Sequence, residues 1–349
     1  MIDHRQGNAI GSSSVAASPA DHLVDGHGRR ITYLRLAITD RCNLRCRYCR
    51  PEQGVPFIPH AEILRFEELE RLVRIFTTLG VGKVRVTGGE PFSRRGCLDF
   101  LRRLKQIDRL QSLHITTNGV KTARLLAELQ EIGVAGINLS LDTLDPLRFK
   151  EITRRDYLES VLATLQGTLA RRIPLKVNSV VLADTSDREI LSLAGLAQKL
   201  PLTLRFIEPM PFSGACRSVG LENPNLLGRL RGIFPELTEQ HQSLPTTART
   251  FTLPGFLGKL GIISGYSRLF CTTCNKVRIT PAGMLKTCLY DNGALDMKAL
   301  VRGSASDEEI GAAIVEVVRN RQINGHAAEK HCRRAAERAE EPSMCLIGG

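Results

Sequence analysis

Cys42, Cys46 and Cys49 stand in the stretch Cys-Asn-Leu-Arg-Cys-Arg-Tyr-Cys, with C-x3-C-x2-C spacing. Three thiolates are one short of the four that a tetrahedral zinc or a fully ligated [4Fe–4S] cluster takes. A cube held by three cysteines leaves one iron open to a ligand that is not protein, and that iron can do chemistry as well as pass electrons. A second set, Cys271, Cys274 and Cys288, repeats the count with C-x2-C-x13-C spacing. Zinc is the competing occupant at both places. No nearby Cys or His completes a tetrahedron at the first. At the second, His326, His331 and Cys332 are the distant candidates for a fourth ligand.

These cysteines need a scaffold. From Ile31 the chain alternates β-branched apolar runs with helical periodicity. Strands are predicted at Ile31–Ile38, Lys83–Val86, Leu113–Thr116, Gly136–Leu141, Leu175–Val181 and Leu202–Ile207. Helices are predicted at Phe66–Leu79, Cys97–Ile107, Leu125–Ile132 and Tyr157–Arg171, and from a Ser186–Glu189 capping box to Lys199. Strands separated by helices of this length make βα units and a parallel sheet. Six units are too few for a closed eight-stranded barrel. The expected fold is therefore α/β, a partial (βα)6 barrel of the TIM type, with an irregular C-terminal extension holding the second cysteine set.

Residues 1–30, rich in Gly, Ser and Ala, read as a flexible tail, 31–210 as the barrel and 211–349 as a C-terminal domain. Within that domain 211–270 lacks periodicity, and helices are expected at Ser306–Arg319 and Ala327–Ala339. In parallel βα barrels the chemistry sits at the C-terminal ends of strands. The first cysteines follow strand one, and Thr87-Gly88-Gly89-Glu90-Pro91 follows strand two, where paired glycines admit a ligand close to the backbone.

Composition narrows the partners. The formal charge is +12, from 48 Lys and Arg against 36 Asp and Glu, which suits a polyanionic ligand, nucleic acid or an anionic surface. Aromatics are only 5% with no Trp, which argues against a stacking nucleic-acid binder, as do the six βα units. No apolar run approaches the ~20 residues of a membrane span. No secretory signal is seen, and Asp3, Asp21 and Asp25 argue against a transit peptide. The chain has ten cysteines, and the clustering of six of them points to metal rather than disulfides, hence to a reducing, cytoplasmic compartment.

The two cysteine sets and the glycine motif together resemble the radical S-adenosylmethionine (SAM) enzymes. Within them, the chain from about Tyr33 to Gly349 resembles the GTP 3′,8-cyclase family of molybdenum cofactor biosynthesis. The motifs that carry this are Asp40-Arg41-Cys42 through Cys49, Thr87–Pro91, Thr116–Gly119, Ser140–Asp142, Arg205–Pro211, Cys271–Arg278 and the terminal Gly348-Gly349. The resemblance implies two [4Fe–4S] clusters, with SAM on the open iron of the first and the guanine of GTP on the second. A deoxyadenosyl radical takes the ribose 3′ hydrogen, and the carbon radical closes on C8 of guanine. The implied SAM contacts are Tyr48, Gly89, Ser140 and Met210. The implied GTP contacts are Arg35, Arg85, Thr116, Lys176, Lys276 and Arg278, and the tail Gly348-Gly349 reaches the site. The resemblance further implies an electron donor such as flavodoxin or ferredoxin, cyclic pyranopterin monophosphate synthase downstream, and a homodimer.

This sequence departs from the family at Lys276, where Arg is usual, at Arg50, and at Ser264-Gly265-Tyr266. Cys97, Cys216, Cys332 and Cys345 have no part in the pattern and read as free buried thiols. A divergent paralogue, or a peptide-modifying radical SAM enzyme with an auxiliary cluster, is the alternative.

Overall fold

The computed structural model describes residues 22–210, 225–240, 247–265, 268, 271–335 and 344–348. Six parallel strands follow in chain order: β1 (Tyr33–Ala37), β2 (Lys83–Thr87), β3 (Ser112–Thr117), β4 (Gly136–Ser140), β5 (Leu175–Val180) and β6 (Thr203–Ile207). Between them run α1 (Phe66–Thr78), α2 (Cys97–Lys105), α3 (Leu126–Glu131), α4 (Pro146–Thr153), α5 (Leu158–Ala170) and α6 (Asp187–Lys199). The partial (βα)6 barrel is as expected, with ends shifted by a residue or two. The Ser186–Glu189 box forms, with Ser186 N donating to Glu189 Oε2 at 2.8 Å. Helix α4 was not foreseen. Asp145 starts it by accepting from Arg148 N at 2.7 Å, and Pro146 opens it.

Side-chain alternation explains the strands. Leu34, Leu36, Val84, Val86, Leu113, Ile115, Ile137, Leu139, Val177, Leu204 and Phe206 are buried in one hydrophobic core with α1 residues such as Leu69 and Phe76, Phe100 of α2 and Leu193 of α6. The residues between them in each strand are polar or charged: Arg35, Arg85, His114, Thr116, Asn138, Lys176, Asn178 and Arg205. Period two thus divides every strand into a helix-facing apolar set and a lumen-facing polar set.

The C-terminal extension is present as expected and carries more regular structure than its periodicity suggested. It contains α7 (Leu226–Ile233), β7 (Thr238–Gln240), β8 (Arg249–Thr252), β9 (Lys259–Ile263), β10 (Lys276–Ile279), β11 (Met284–Lys286) and β12 (Leu295–Asp296). After these come α8 (Met297–Arg302), α9 (Asp307–Arg319), α10 (Gly325–Ala335) and the short α11 (Met344–Ile347). Among the described residues the sheet order is β12-β11-β10-β1-β2-β3-β4-β5-β6-β9-β8-β7. Strand β9 adds to β6 and β10 to β1, both parallel. Both open edges of the barrel are thus extended by the C-terminal half, in one continuous sheet. These strands are short and follow no regular spacing, so periodicity alone did not reveal them.

The expected tail also ends earlier than residue 30. Leu23 and Ile31 are buried, Val24 bridges Arg30, and Leu23 N donates to Leu79 O at 2.9 Å. Residues 1–21 lie outside the described part. No described helix is long and apolar enough to cross a membrane.

Candidate active site

The first cysteine loop leaves the C-terminal end of β1. Cys46 O accepts from both Cys49 N (3.0 Å) and Arg50 N (2.9 Å), closing a turn. The loop is tied to α4, because Arg45 N donates to Thr153 O (3.0 Å) and Arg47 N to Ile152 O (2.9 Å). Cys42 Sγ accepts from Leu44 N at 3.4 Å and Asn118 Nδ2 at 3.5 Å. Burial pushes the Cys42 thiol up to about 11 and raises Cys46 further, so metal loading must release protons here. Tyr48 OH donates to Asp142 Oδ2 at 2.8 Å. Burial raises Asp142 to about 6, against the hydrogen bond from Val180 N that favours its charged form.

The Gly-Gly motif packs on this loop. A side chain at Gly89 would place Cβ 2.4 Å from Arg41 O, and one at Gly88 2.6 Å from Thr39 O. The room the glycines leave is taken by the chain's own backbone, a close approach the sequence reading assigned to a ligand. Glu90 is buried behind it and accepts from Thr117 Oγ1, Asn118 N and Phe92 N. Burial raises its carboxyl to about 7.

The second set sits at the other end of the barrel. Cys271 and Cys274 precede β10, and Cys288 follows β11, which runs antiparallel to β10. Because β10 is parallel to β1, all three lie at the N-terminal ends of the barrel strands, while Cys42, Cys46 and Cys49 follow the C-terminal end of β1. The five residues of β1 that separate the two ends span roughly 17 Å along the strand, at about 3.3 Å each. The expectation that all the chemistry gathers at C-terminal ends thus holds for the first set alone. Cys274 Sγ accepts from Arg321 Nη2 at 3.0 Å and Cys271 Sγ from Gly325 N at 3.3 Å. Burial raises the Cys274 thiol, but Arg321 and Lys276 outweigh it and leave it below its ordinary value.

One cavity of about 390 Å³ is lined by all six cysteines. Tyr48, Gly89, Ser140 and Met210 line it, as do Arg35, Arg85, Thr116, Lys176, Lys276 and Arg278. Gly348 lies apart from that wall, wedged between β1 and β2: its φ is +84°, and a Cβ there would stand 2.5 Å from Ala37 Cβ. Its carbonyl accepts from Arg278 Nη1 at 3.2 Å. Gly349 lies outside the described residues.

The lumen between the two sets is cationic. Register places Arg278, Arg35 and Arg85 side by side on β10, β1 and β2. Burial and then Arg278 lower the Arg35 guanidinium to about 9, and burial with Arg205 lowers Lys176 to about 8. Among the described residues no carboxylate pairs with Lys83, Arg85, Lys176 or Arg205, all of which face the cavity. Ser140, Asn178 and Arg205 share a second row. Asn178 Oδ1 and Arg205 Nε and Nη2 of that row, and Thr116 Oγ1 of the row that holds Lys176, are buried without a hydrogen-bond partner among the described residues.

Sequence reasoning missed Lys83, Asn178 and Arg205 as site residues, although each stands in the same two-residue phase as Arg85 or Lys176. It also missed Tyr33, which shares the phase of Arg35 on β1, and Arg29 and Arg321, for which no local pattern exists. Tyr33 OH accepts from Arg85 Nε, and Lys83 and Lys276 approach its ring at 5.0 and 5.3 Å. Burial raises this phenol, but Arg85 and Arg35 outweigh it and bring it down to about 7. Among the other cysteines, Cys97 is a buried core thiol, whereas Cys332 is only half-buried. Cys216 and the Cys345 side chain lie outside the described part. Arg50 is buried, donates to Asp40 O at 2.8 Å and stacks on Phe57 at 4.8 Å. Ser264 is buried beside Gly265, whose carbonyl accepts from Tyr290 OH, while Tyr266 is not described.

Residues 36–197 match the model of the Radical SAM superfamily, and 202–327 that of Molybdenum Cofactor Synthesis C. The chain is 36% identical over 329 residues to the GTP 3′,8-cyclase of Clostridium perfringens (strain SM101 / Type A), covering 94% of this chain and 100% of that one. It is 40% identical over 309 residues to the GTP 3′,8-cyclase of Moorella thermoacetica, covering 87% and 95%. It is 42% identical over 306 residues to molybdenum cofactor biosynthesis protein 1 of Bos taurus, covering 86% of this chain but only 48% of that longer protein. The chain therefore spans about half the length of that relative. In fold it is similar to Streptococcus suis SuiB bound to S-adenosylmethionine, at a TM-score of 0.58 and 15% identity, covering 82% and 68% of the two chains.

Proposed function

Since the chain belongs to the GTP 3′,8-cyclase family of radical SAM enzymes, we propose that it is a lyase converting GTP to (8S)-3′,8-cyclo-7,8-dihydroguanosine 5′-triphosphate, the first step of molybdenum cofactor biosynthesis. The carrying observation is the row Arg278–Arg35–Arg85 inside a cavity with thiols at both ends. Like charges in register destabilise a sheet, so such a row is explained by a polyanion that binds across it.

In kind and number the donor sets suit two [4Fe–4S] clusters. Each offers three cysteines that line the cavity, and a hydrogen-bond donor already reaches a sulfur of each. When bound, the first cluster with SAM supplies a deoxyadenosyl radical. The protein's part is placement. Tyr48, held by Asp142, and Ser140 with Gly89 and Met210 form the SAM end. Arg35, Arg85, Lys176, Lys83 and Arg205 hold the triphosphate between the ends, with Thr116 offering a free hydroxyl. Arg278 and Lys276 flank the second set, where guanine would dock. Lys276 offers a point charge instead of a planar fork and donates to Asn275 Oδ1 at 2.9 Å. Gly348, set back from the cavity wall, accepts from Arg278 Nη1 and so steadies a residue that lines it.

A one-electron donor of the flavodoxin or ferredoxin type, a downstream cyclic pyranopterin monophosphate synthase, a homodimer and a cytoplasmic setting belong to the same proposal. A peptide substrate is not favoured, because the relatives that match along their whole length are GTP cyclases. Anaerobic incubation with SAM, GTP and dithionite should yield 5′-deoxyadenosine only when GTP is present, with the cyclised product identified by mass spectrometry. Deoxyadenosine at the same rate without GTP, and no new nucleotide, would sink the proposal.

A further inference from the structure

Two arginines far apart in sequence close on the second cysteine set. Arg321, just beyond α9 and 5% exposed, donates through Nη1 to Cys274 O (3.1 Å) and through Nη2 to Cys274 Sγ (3.0 Å). Behind it lies the Asp25 carboxylate, with a fully buried side chain, 3.8 Å from Arg321 Nη1. Asp25 accepts from Arg29 Nε at 2.6 Å. Arg29 in turn donates to Cys271 O and Ile323 O, each at 2.7 Å, and to Gln322 O at 3.0 Å. His27 Nε2 lies 3.0 Å from Arg321 O, and Gly26 N donates to Arg319 O at 3.0 Å. Residues 25–29 and 319–325 therefore form one hydrogen-bonded frame that reaches a sulfur of this set twice, through the neutral Gly325 N on Cys271 and through the charged Arg321 on Cys274.

We infer that Arg321 is a positioning residue for the second centre: it holds Cys274 and raises the reduction potential of the cluster bound there. The reasoning is electrostatic. Reduction adds negative charge that is shared onto the cluster's sulfurs, and a cationic donor at 3.0 Å stabilises the reduced form more than the oxidised one. Burial keeps water from screening that effect. Asp25 and Arg29 fix where the guanidinium stands, and Arg29 also holds the Cys271 carbonyl, without touching a sulfur. The inference rests on the two-cluster reading above.

The test uses the full chain with Cys42, Cys46 and Cys49 all replaced by Ala, so that the second centre is seen alone. Into this background go Arg321→Gln, Arg321→Lys and Arg29→Gln, each reconstituted anaerobically and followed by iron analysis and an EPR-monitored redox titration. Arg321→Gln should hold its iron at a more negative midpoint potential, and Arg321→Lys, which keeps the charge, should fall between it and the parent. Arg29→Gln should leave the potential in place but lose iron to a chelator several-fold faster. If neither Arg321 variant loads while its melting temperature is unchanged, the guanidinium is needed to hold Cys274, as inferred. Arg321→Gln that loads fully at the parental potential overturns the inference. A parent that takes up no iron overturns the two-cluster reading itself, which the control separates from the first result.

Discussion

Arg205 offers a direct test of whether the cationic lumen is a substrate device held at the expense of stability. It projects from β6 with two guanidinium nitrogens unpartnered, and its stem packs on Gly261, where a Cβ would stand 2.8 Å from Arg205 Cγ. Burial, then Arg85, lower its guanidinium well below the ordinary arginine range, to about 10. At neutral pH the group is protonated in both the folded and unfolded chain, so the whole penalty is present there. At about 1.36 kcal/mol per pH unit the drop sets a ceiling of roughly 3 kcal/mol. Counter-ions and residual water in an open lumen reduce this to about 1–2 kcal/mol. Arg205→Met keeps the stem and deletes the charge. The ligand-free variant should therefore unfold at a higher temperature, by roughly 1–3 °C, and added salt should narrow the gap by screening the wild type. The same variant should bind GTP about 10–100-fold more weakly, the worth of one or two charge-assisted hydrogen bonds. Anaerobic thermal denaturation at two ionic strengths, paired with equilibrium GTP binding, reads both. A variant that melts earlier and binds GTP as tightly as wild type would refute the reasoning, and Arg205 would be an ordinary structural residue.

Tyr33→Phe should remove a pH dependence of stability. The phenol is brought down to about 7 in the folded chain, so the stabilisation it contributes is absent below that pH, grows above it and is complete above the unfolded value near 10. The stability difference between wild type and variant should widen from pH 7 to 10 in denaturant titrations, and a flat difference would count against the assignment. Cys288→Ala should lower iron from about eight to about four per chain and abolish GTP-dependent deoxyadenosine formation while the first cluster's signal remains; retained turnover would show the second set to be misassigned. Gly348→Ala must place a methyl against Ala37 at a φ of +84°, costing about 1–3 kcal/mol locally. Turnover should drop at least tenfold with iron content unchanged, and wild-type turnover would mean that the wedge is not part of the site.

The legible part of this protein is the part that repeats. Six apolar strand runs spaced by helices carried the barrel, and cysteine spacing carried both metal sets, because each pattern lies within a few residues of sequence. Lys83 and Arg205 were within reach, since they alternate with apolar strand residues just as Arg35 and Arg85 do, although only the family resemblance pointed to that pair. What stayed hidden depends on distant pairing. No local pattern says that β10 will lie beside β1, so the placement of the second set at the opposite end of the lumen could not be read. For the same reason Arg29 looked like part of a tail, although its guanidinium grips the carbonyls of Cys271 and Gln322 in the folded chain. The glycine motif shows a different limit: its residue type was informative, but the backbone it accommodates is that of residues 39–41.

The seating of β10 against β1 has a consequence for how the molecule is made. Asn275 and Thr32, at the head of this pairing, are joined across 243 positions of chain. During synthesis β1 must wait with one edge bare until the last quarter of the protein emerges, and β6 waits likewise for β9. A nascent chain that has completed the first six strands therefore carries two parallel edges open to strand addition by neighbouring chains. Its first cysteine loop already has its supports from β3 and α4, whereas Cys271 and Cys274 gain theirs only when residues 319–325 arrive. Metal loading should thus be ordered in time, the radical-generating end first and the substrate end last, and chains that stall between the two are the ones most exposed to aggregation.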